Sequence, residues 1–213
     1  KMYAVKIPLK EFFRLASVRK LANYLSGILD AAIGQQKNHS VPLEISSTIR
    51  DHYPLSKQQQ GIYVLSLFNP EATHYNIPSA YQIRGPLDAS RLEQAINSML
   101  QRHNALRSNF TLIEGEPVCV VRPYKNIALQ QKIVTTQEQQ KIQVHLDEFV
   151  KSFDLENDPL FRCLLLRCAD DLHILALDVH HIVADGTSFQ LLLAELHAAY
   201  TGASLPAVEF QYT

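Results

Sequence analysis

Two consecutive hydrophobic runs near the end of the chain constrain its fold more than any other feature. They lie in LFRCLLLRCADDLHILALDVHH, residues 160–181, and a polar turn at Ala169–Asp171 separates them. Each run has the length and apolar character of a strand, and the short turn between them predicts a strand pair. The second run is apolar on both faces, which is typical of a strand inside a sheet. The sequence therefore predicts a sheet that has this strand in its interior.

Amphipathic helices accompany these strands and indicate the fold class. In PLDASRLEQAINSMLQRH, residues 86–103, apolar residues recur at helical spacing after Asp88, which is suited to cap a helix start. Two further helices are predicted by the capping-box pairs Thr135–Glu138 and Thr187–Gln190. Three shorter strands are predicted at SAYQIRG (79–85), ALRSNFTLI (105–113) and EPVCVVRP (116–123). Strands mixed with long helices predict an α/β (α+β) two-layer sandwich.

The composition narrows the classes of function. The chain has 213 residues, and 46% of them are hydrophobic, which suffices for a packed core. The formal net charge is -1 with no basic stripe, so no nucleic-acid partner is expected. No apolar span is long enough to cross a bilayer, so no membrane partner is expected either. The three cysteines form no CxxC pair, and we expect reduced thiols in a cytoplasmic protein with no metal site: Cys119, Cys163 and Cys168.

The first part of the chain has the pattern of a separate helical segment. Apolar residues recur at helical spacing from Val18 to Leu29, and Gly34 ends the pattern. The stretch that follows is polar, contains a proline and is typical of a linker. We therefore divide the chain into a helical segment at 1–34, a linker at 35–46 and a main domain at 47–213. Because position 1 is lysine rather than methionine, we expect a piece of a longer protein.

The stretch HHIVADGTS, residues 180–188, gathers polar side chains at the end of the buried strand. Side chains alternate in direction along a strand, so His180 and His181 should point opposite ways, one of them into a cleft. Asp185 follows across a short loop, and Gly186 permits close approach of the backbone. The next helix begins with unpaired N–H groups, which favour a developing negative charge. A base, a carboxylate and amide donors are the parts that an acyl-transfer site needs.

The same residues have a plainer interpretation. Adjacent histidines followed by an aspartate also occur as a polar strand end and a helix cap, and the pattern alone leaves both interpretations open. A metal site is indicated more weakly still, because no third ligand lies nearby in the sequence.

Several stretches, in order, resemble motifs of the condensation domains of nonribosomal peptide synthetases. HHIVADG matches the family's HHxxxDG signature, YPLSKQQQGIYVL resembles its opening motif, and RHNALRSNF resembles its RHExLRTxF motif. The family's sequence between those motifs also resembles two stretches of this chain, HYNIPSAYQIRGPLD and FDLENDPLFRCLLLR. This resemblance covers residues 45–213. The earlier stretch VKIPLKEFFRLASVRKLANYL resembles the last helices of a peptidyl carrier domain, which would occupy residues 1–34.

The resemblance implies a fold and a reaction. The fold is that of the N-terminal lobe of a condensation domain, similar to chloramphenicol acetyltransferase. In the reaction, the α-amino group of a carrier-bound acceptor attacks the thioester of a carrier-bound donor. No cofactor is implied for the chain itself, since the substrates are carried on the phosphopantetheine of the donor and acceptor carrier domains. Further implied partners are the adenylation domain and the C-terminal lobe of the same synthetase, and without that lobe we expect the chain to be inactive.

The resemblance also implies which residues perform the chemistry. His181 would be the active-site histidine, which orients or deprotonates the acceptor amine, and Gly186 would place its N–H near the thioester oxygen. His180 would be structural. Asp185 would be structural too, held by a salt bridge to Arg107.

Arg102 lies at the predicted end of a helix, where a cation suits the helix dipole, so both a site role and a plain helix charge stay open. Three positions depart from the family pattern: Gly61 replaces an arginine, Asn104 a glutamate and Ser108 a threonine. None of them removes the histidine or the aspartate of the signature.

The resemblance leaves three other functions open. An epimerisation domain shares the HHxxxDG signature. A relative that uses free acyl-CoA, as chloramphenicol acetyltransferase does, would share His181 and Asp185. A non-catalytic module would only dock carrier domains. The paired histidines argue against a cyclisation domain, whose signature has aspartates instead.

Overall fold

The structure is a computed structural model that describes residues 19, 20, 24, 50–134, 141–208 and 210–212. The chain divides into two compact units, Lys1–Ser46 and Ser47–Thr213. In the first unit, the three described residues are helical. The rest of the predicted first helix, the linker and the pair Thr135–Glu138 lie outside the described residues. The assignment of the first unit to a carrier domain therefore stays a prediction.

The described part of the second unit combines strands and helices, numbered here in chain order. The strands are β1 (Tyr53–Pro54), β2 (Asn76–Arg84), β3 (Ser108–Ile113), β4 (Glu116–Val121), β5 (Gln130–Ile133), β6 (Phe161–Ala169) and β7 (Leu172–His180). The α-helices are α1 (Lys57–Phe68), α2 (Ala89–Arg102), α3 (Ile142–Phe149) and α4 (Gly186–Thr201). A short 3-10 helix at Asn104–Arg107 follows α2.

A four-stranded sheet positions the site. Its strand order is β2-β7-β6-β5, in which β5 is parallel to β6 and the other neighbours are antiparallel. The predicted strand pair β6–β7 and the interior place of β7 are both confirmed. Helices α2 and α4 cover one face, where Ile96 and Leu192 share a buried cluster with Val179. Helix α3 covers the other face, where Leu146 packs against the cluster that holds Leu166. Helices packed on a mixed sheet confirm the predicted α/β sandwich.

A smaller antiparallel sheet, β1-β4-β3, lies beside α1. Ile62 of α1 and Phe110 of β3 belong to one buried cluster with Leu160, which directly precedes β6. Ile182, from the loop after β7, is only 3% exposed in the same cluster. Burial of an aliphatic side chain contributes about 1.5–3 kcal/mol, so Ile182 anchors this loop to the core. The loop that holds the HHIVADG stretch is therefore fixed by packing as well as by the strand before it.

Helix starts follow capping chemistry, with one departure from prediction. Asp88 caps α2, as predicted, and accepts from the N–H of Arg91 at 3.0 Å. The capping box predicted at Thr187–Gln190 is wrong, because α4 begins at Gly186 and its cap is Asp185. A carboxylate caps strongly because it accepts from the open N–H groups and also complements the positive end of the helix dipole. The aspartate therefore prevails over the hydroxyl two residues later.

The strand predicted to start at Ala105 begins instead at Ser108, because the 3-10 helix comes first. Side-chain bonds close this turn. The Ser108 hydroxyl donates to the carbonyl of Asn104 at 3.0 Å, and Asn104 Oδ1 accepts from Arg107 Nη2 at 2.6 Å. Two of the three departures from the family pattern thus bond within one turn beside the site.

Candidate active site

The end of β7 is held by backbone bonds on both sides. The N–H of His180 donates to the carbonyl of Leu160 at 3.1 Å, and the N–H of His181 donates to the carbonyl of Tyr75 at 2.7 Å. Successive side chains of an extended chain point to opposite faces of the sheet. His180 is buried, with 4% of its surface exposed, whereas His181 is exposed. The predicted opposite orientation of the two imidazoles is confirmed.

His180 is a neutral packing residue beneath the site. The edge of its ring meets Phe153, with 5.8 Å between ring centroids, and its Nδ1 accepts from the N–H of Ile182 at 3.2 Å. Burial lowers the pKa of His180 to about 4, and electrostatic interactions with His181, Arg162 and His74 lower it further. The imidazole is therefore uncharged near neutral pH, with its proton on Nε2. In this state it fixes the backbone of the loop that follows.

A network of polar and charged side chains begins on the same face of β7 as His180. Asp178 lies fully buried in β7, accepts from Asn76 Nδ2 at 2.7 Å and lies 3.8 Å from Arg162 Nη1. The guanidinium of Arg162 stacks on Phe153, 3.7 Å from the ring centroid. Burial raises the pKa of Asp178 to about 6, against the lowering effects of Asn76 and Arg162. Sequence reasoning missed this network, although lone charges within strongly apolar strands could have indicated it.

His181 faces a cavity of about 660 Å³. The walls come from the start of α1, the end of α2, the β7–α4 loop, α4 and the last described stretch of the chain. The exposed His181 ring makes no hydrogen bond to any described residue. Polar and apolar side chains alternate around it: Ser56, Gln59, Arg102, His103, Asp185, Ser188, Glu195 and Gln211, with Ile62, Leu106, Leu191, Leu192, Phe210 and Tyr212. The expected cleft beside one histidine is thus present.

The salt bridge predicted between Asp185 and Arg107 is wrong. Asp185 is exposed, and its Oδ1 accepts from the N–H of Ser188 at 2.7 Å and from the Ser188 hydroxyl at 2.8 Å. These hydrogen bonds lower the pKa of Asp185. Arg107 instead donates to the carbonyls of Leu100 and Arg122 and to Oδ1 of Asn104. Local acceptors and donors thus satisfy both groups, which leaves no reason for a distant ion pair.

Gly186 occupies the first position of α4, with open space around it. A Cβ atom at Gly186 would meet nothing within 4 Å, and its φ is not positive. Packing and backbone conformation in the described residues therefore do not require glycine at this position. Gly61, on the exposed side of α1, has the same open surroundings.

Arg102 is more than a charge at a helix end. It is the last residue of α2, its Nε donates to Glu195 Oε2 at 3.2 Å, and its guanidinium also donates to the carbonyl of Pro206. The next residue, His103, places Nε2 at 2.5 Å from the same Glu195 oxygen. Sequence reasoning missed His103 and Glu195. Glu195 is the one acidic residue in the apolar helix SFQLLLAELHAAY, and that isolation was the available signal.

Other chemistries find little support in the described residues. All three cysteines are buried thiols outside the cavity, and burial raises the pKa of Cys163 to about 12. Among the described residues, no group of three or more His, Cys, Asp or Glu could hold a metal ion. None of the described helices has the length and apolarity to span a membrane.

Comparison with known proteins places the chain in a family. A family model described as "Condensation domain" matches residues 49–213. The chain is 36% identical over 210 residues to tyrocidine synthase 3 of Brevibacillus parabrevis, a match that covers 99% of this chain and 3% of that protein.

Two solved structures have the same fold. The first condensation domain of the calcium-dependent antibiotic synthetase, in complex with a substrate analogue, is 27% identical with a TM-score of 0.66, over 75% of this chain and 40% of that one. The X-domain in complex with OxyB from teicoplanin biosynthesis is 25% identical with a TM-score of 0.70, over 78% of this chain and 37% of that one. The chain thus spans less than half of each solved chain. With this fold, and with the HHxxxDG signature at a cavity, the chain belongs to the condensation domains of nonribosomal peptide synthetases.

Proposed function

We propose that this chain is the N-terminal lobe of a condensation domain and forms one wall of a site that makes peptide bonds. A donor acyl group and an acceptor amino acid, each a thioester on the phosphopantetheine of a carrier domain, are the substrates. The supporting observation is the exposed His181 ring, which lies in a cavity with no described hydrogen-bond partner and so is available to a ligand. The adenylation domain and the C-terminal lobe are the expected partners within the same synthetase.

The reaction is aminolysis of a thioester. The acceptor nitrogen attacks the donor carbonyl carbon, a C–N bond forms, and the C–S bond breaks. His181 accepts a hydrogen bond from the attacking amine, which orients its lone pair toward the carbonyl. Asp185 caps the first turn of α4 through Ser188, and the N–H of Gly186, the first residue of the helix, is the donor proposed to stabilise the negative charge that develops on the carbonyl oxygen.

The chain needs a second wall to do this. It spans 40% of the solved condensation domain named above, and its cavity is open to solvent. We infer that the C-terminal lobe closes the cavity, and that the chain alone does not turn over. Residues 1–34 are proposed as the end of the preceding carrier domain and 35–46 as the linker. The match to tyrocidine synthase 3 supports this, since it covers 99% of the chain and extends before residue 49.

The test is His181→Ala in the full synthetase that contains this chain. We expect loss of dipeptidyl product by about 100-fold or more, because the imidazole that orients the amine is gone. Mass spectrometry of the loaded acceptor carrier measures the product. His197→Ala is the matched control, since His197 is an exposed histidine of α4 outside the cavity. Normal product from His181→Ala would refute the proposal.

A docking function is the second candidate. It is favoured by the X-domain, which has the same fold with a TM-score of 0.70 and was solved in complex with OxyB. A docking module would bind carrier domains equally well with and without His181 and would form no dipeptide in either case. The same assay with acyl-CoA in place of the donor carrier tests the acyl-CoA alternative. Chiral analysis of the product tests the epimerisation alternative.

A further inference from the structure

The cavity contains a second imidazole with a carboxylate partner. His103 is the C-cap residue of α2, and its Nε2 lies 2.5 Å from Glu195 Oε2. Arg102 Nε lies 3.2 Å from the same oxygen, so two donors converge on one carboxylate. Glu195 lies on α4, and its side chain is only 10% exposed. A carboxylate held in this way fixes the orientation and tautomer of an imidazole, as in acyl-transfer enzymes.

The other ring nitrogen of His103 is open. Among the described residues, Nδ1 has no hydrogen-bond partner, and it is not one of the buried unpaired atoms. The side chain keeps 18% of its exposure and lines the same cavity as His181. Nδ1 is therefore the ring atom that a ligand in the cavity can reach.

His181 lacks such support. Its ring makes no hydrogen bond to any described residue, and Asp185, the acid nearest in sequence, caps α4 through Ser188. Among the described residues that line the cavity, the imidazole–carboxylate pair is therefore His103–Glu195 and not His181–Asp185.

We propose that His103, oriented by Glu195, is the group that exchanges the proton in this cavity, while His181 positions the amine. This inference rests on the proposed function. Aminolysis of a thioester forms one C–N bond, breaks one C–S bond and moves one proton from nitrogen to sulfur. His103 Nδ1 takes that proton from the amine and returns it to the departing thiolate, while the Glu195 carboxylate stabilises the transient imidazolium. No oxidant or further reactant is needed.

The main test is Glu195→Gln in the full synthetase. The amide keeps the shape of the side chain but removes the carboxylate charge, so we expect product formation to slow by about 100-fold, with an unchanged KM for the loaded carriers. His103→Gln should slow the reaction as much, and the double variant should be no slower, because the two residues act as one unit. Glu93→Gln is the matched control. Glu93 is also a partly buried helix carboxylate, but it accepts from the N–H of Leu129 at 2.8 Å outside the cavity.

Chemical rescue separates catalysis from a structural role. Added imidazole should restore part of the rate of His103→Ala, because it can occupy the space of the missing ring and exchange the proton. A slow variant that imidazole does not rescue, and that unfolds at a lower temperature, would show a structural role and overturn the inference. Wild-type rates for Glu195→Gln and His103→Gln beside an inactive His181→Ala would overturn it too, with the proposed function intact. An active His181→Ala would instead contradict the proposed function.

Discussion

Two residues on one face of β7, Asp178 and His180, are both stabilised in their uncharged forms by burial. Burial raises the pKa of Asp178 to about 6 and lowers the pKa of His180 to about 4. Between these values the fold holds both groups neutral, whereas an unfolded chain would carry both charges. His180 directly precedes the exposed His181, and its Nδ1 accepts from the backbone of the loop that follows.

The two titrations oppose each other in their effect on stability. The contribution of His180 is present above its unfolded value of 6.5 and is lost as pH falls toward 4. The contribution of Asp178 is present below 3.8 and is lost as pH rises through about 6. Asp178→Asn removes the pH-dependent contribution of Asp178 and leaves that of His180. Relative to wild type, we expect its free energy of unfolding to fall by up to about 1.4 kcal/mol per unit of acidification between pH 6 and 4.

Urea unfolding followed by circular dichroism gives the free energy of unfolding at each pH in this range. The result is the change of this free energy with pH, and not the difference between the variants at any one pH. Asp170→Asn is the control, because Asp170 is almost fully exposed and its partner among the described residues is the exposed Arg167. If the free energy of unfolding of Asp178→Asn changed with pH in parallel with that of wild type, the raised pKa of Asp178 would be contradicted.

At the scale of elements, the predictions that held rest on local patterns. The β6–β7 pair and the interior place of β7 follow from two apolar runs around a short turn, and the α2 start follows from Asp88. The site was only partly predictable. His181 lies in a contiguous signature, but His103 and Glu195 are 92 residues apart and meet only because α2 and α4 pack on one sheet face. The wrong pair, Asp185 with Arg107, failed because each residue has a nearer partner.

The start of α4 gives a prediction that separates folding from function. Gly186→Ala should not lower the melting temperature, since the added methyl group meets nothing within 4 Å. In the proposed function the thioester approaches this N–H, so the methyl group should slow dipeptide formation by about 10-fold or more in the full synthetase. Thermal unfolding and product mass spectrometry measure the two effects.

Gly61→Ala is the matched control for this change. Its surroundings are equally open, and it lies inside α1 rather than at the start of α4. We expect stabilisation by about 0.5–1 kcal/mol with an unchanged rate. Full activity of Gly186→Ala would mean that the substrate does not approach this turn.

At the scale of the whole molecule, the described surface carries several large apolar side chains that are exposed. Leu67 and Phe68 at the end of α1 are 58% and 83% exposed, and Phe210 beside the cavity is 60% exposed. Clustered apolar exposure on an isolated chain favours association.

Leu67→Ser with Phe68→Ser should therefore reduce self-association of the isolated chain. Sedimentation velocity over a range of protein concentrations measures it. Leu112→Ser is the control, because Leu112 on β3 is also 52% exposed but does not belong to α1. An unchanged sedimentation profile for the double variant would show that the end of α1 is not the associating surface.

The backbone bonds from His180 to Leu160 and from His181 to Tyr75 have an implication for protein engineering. They fix the main chain at His181, and so the direction of its Cα–Cβ bond, through backbone atoms of two neighbouring segments. In the proposed function, exchange of Leu191 of α4 or Phe210 would change which acyl or aminoacyl groups fit the cavity and would leave these backbone bonds intact. The main-chain position of His181 and the size of the cavity are therefore separate targets for redesign.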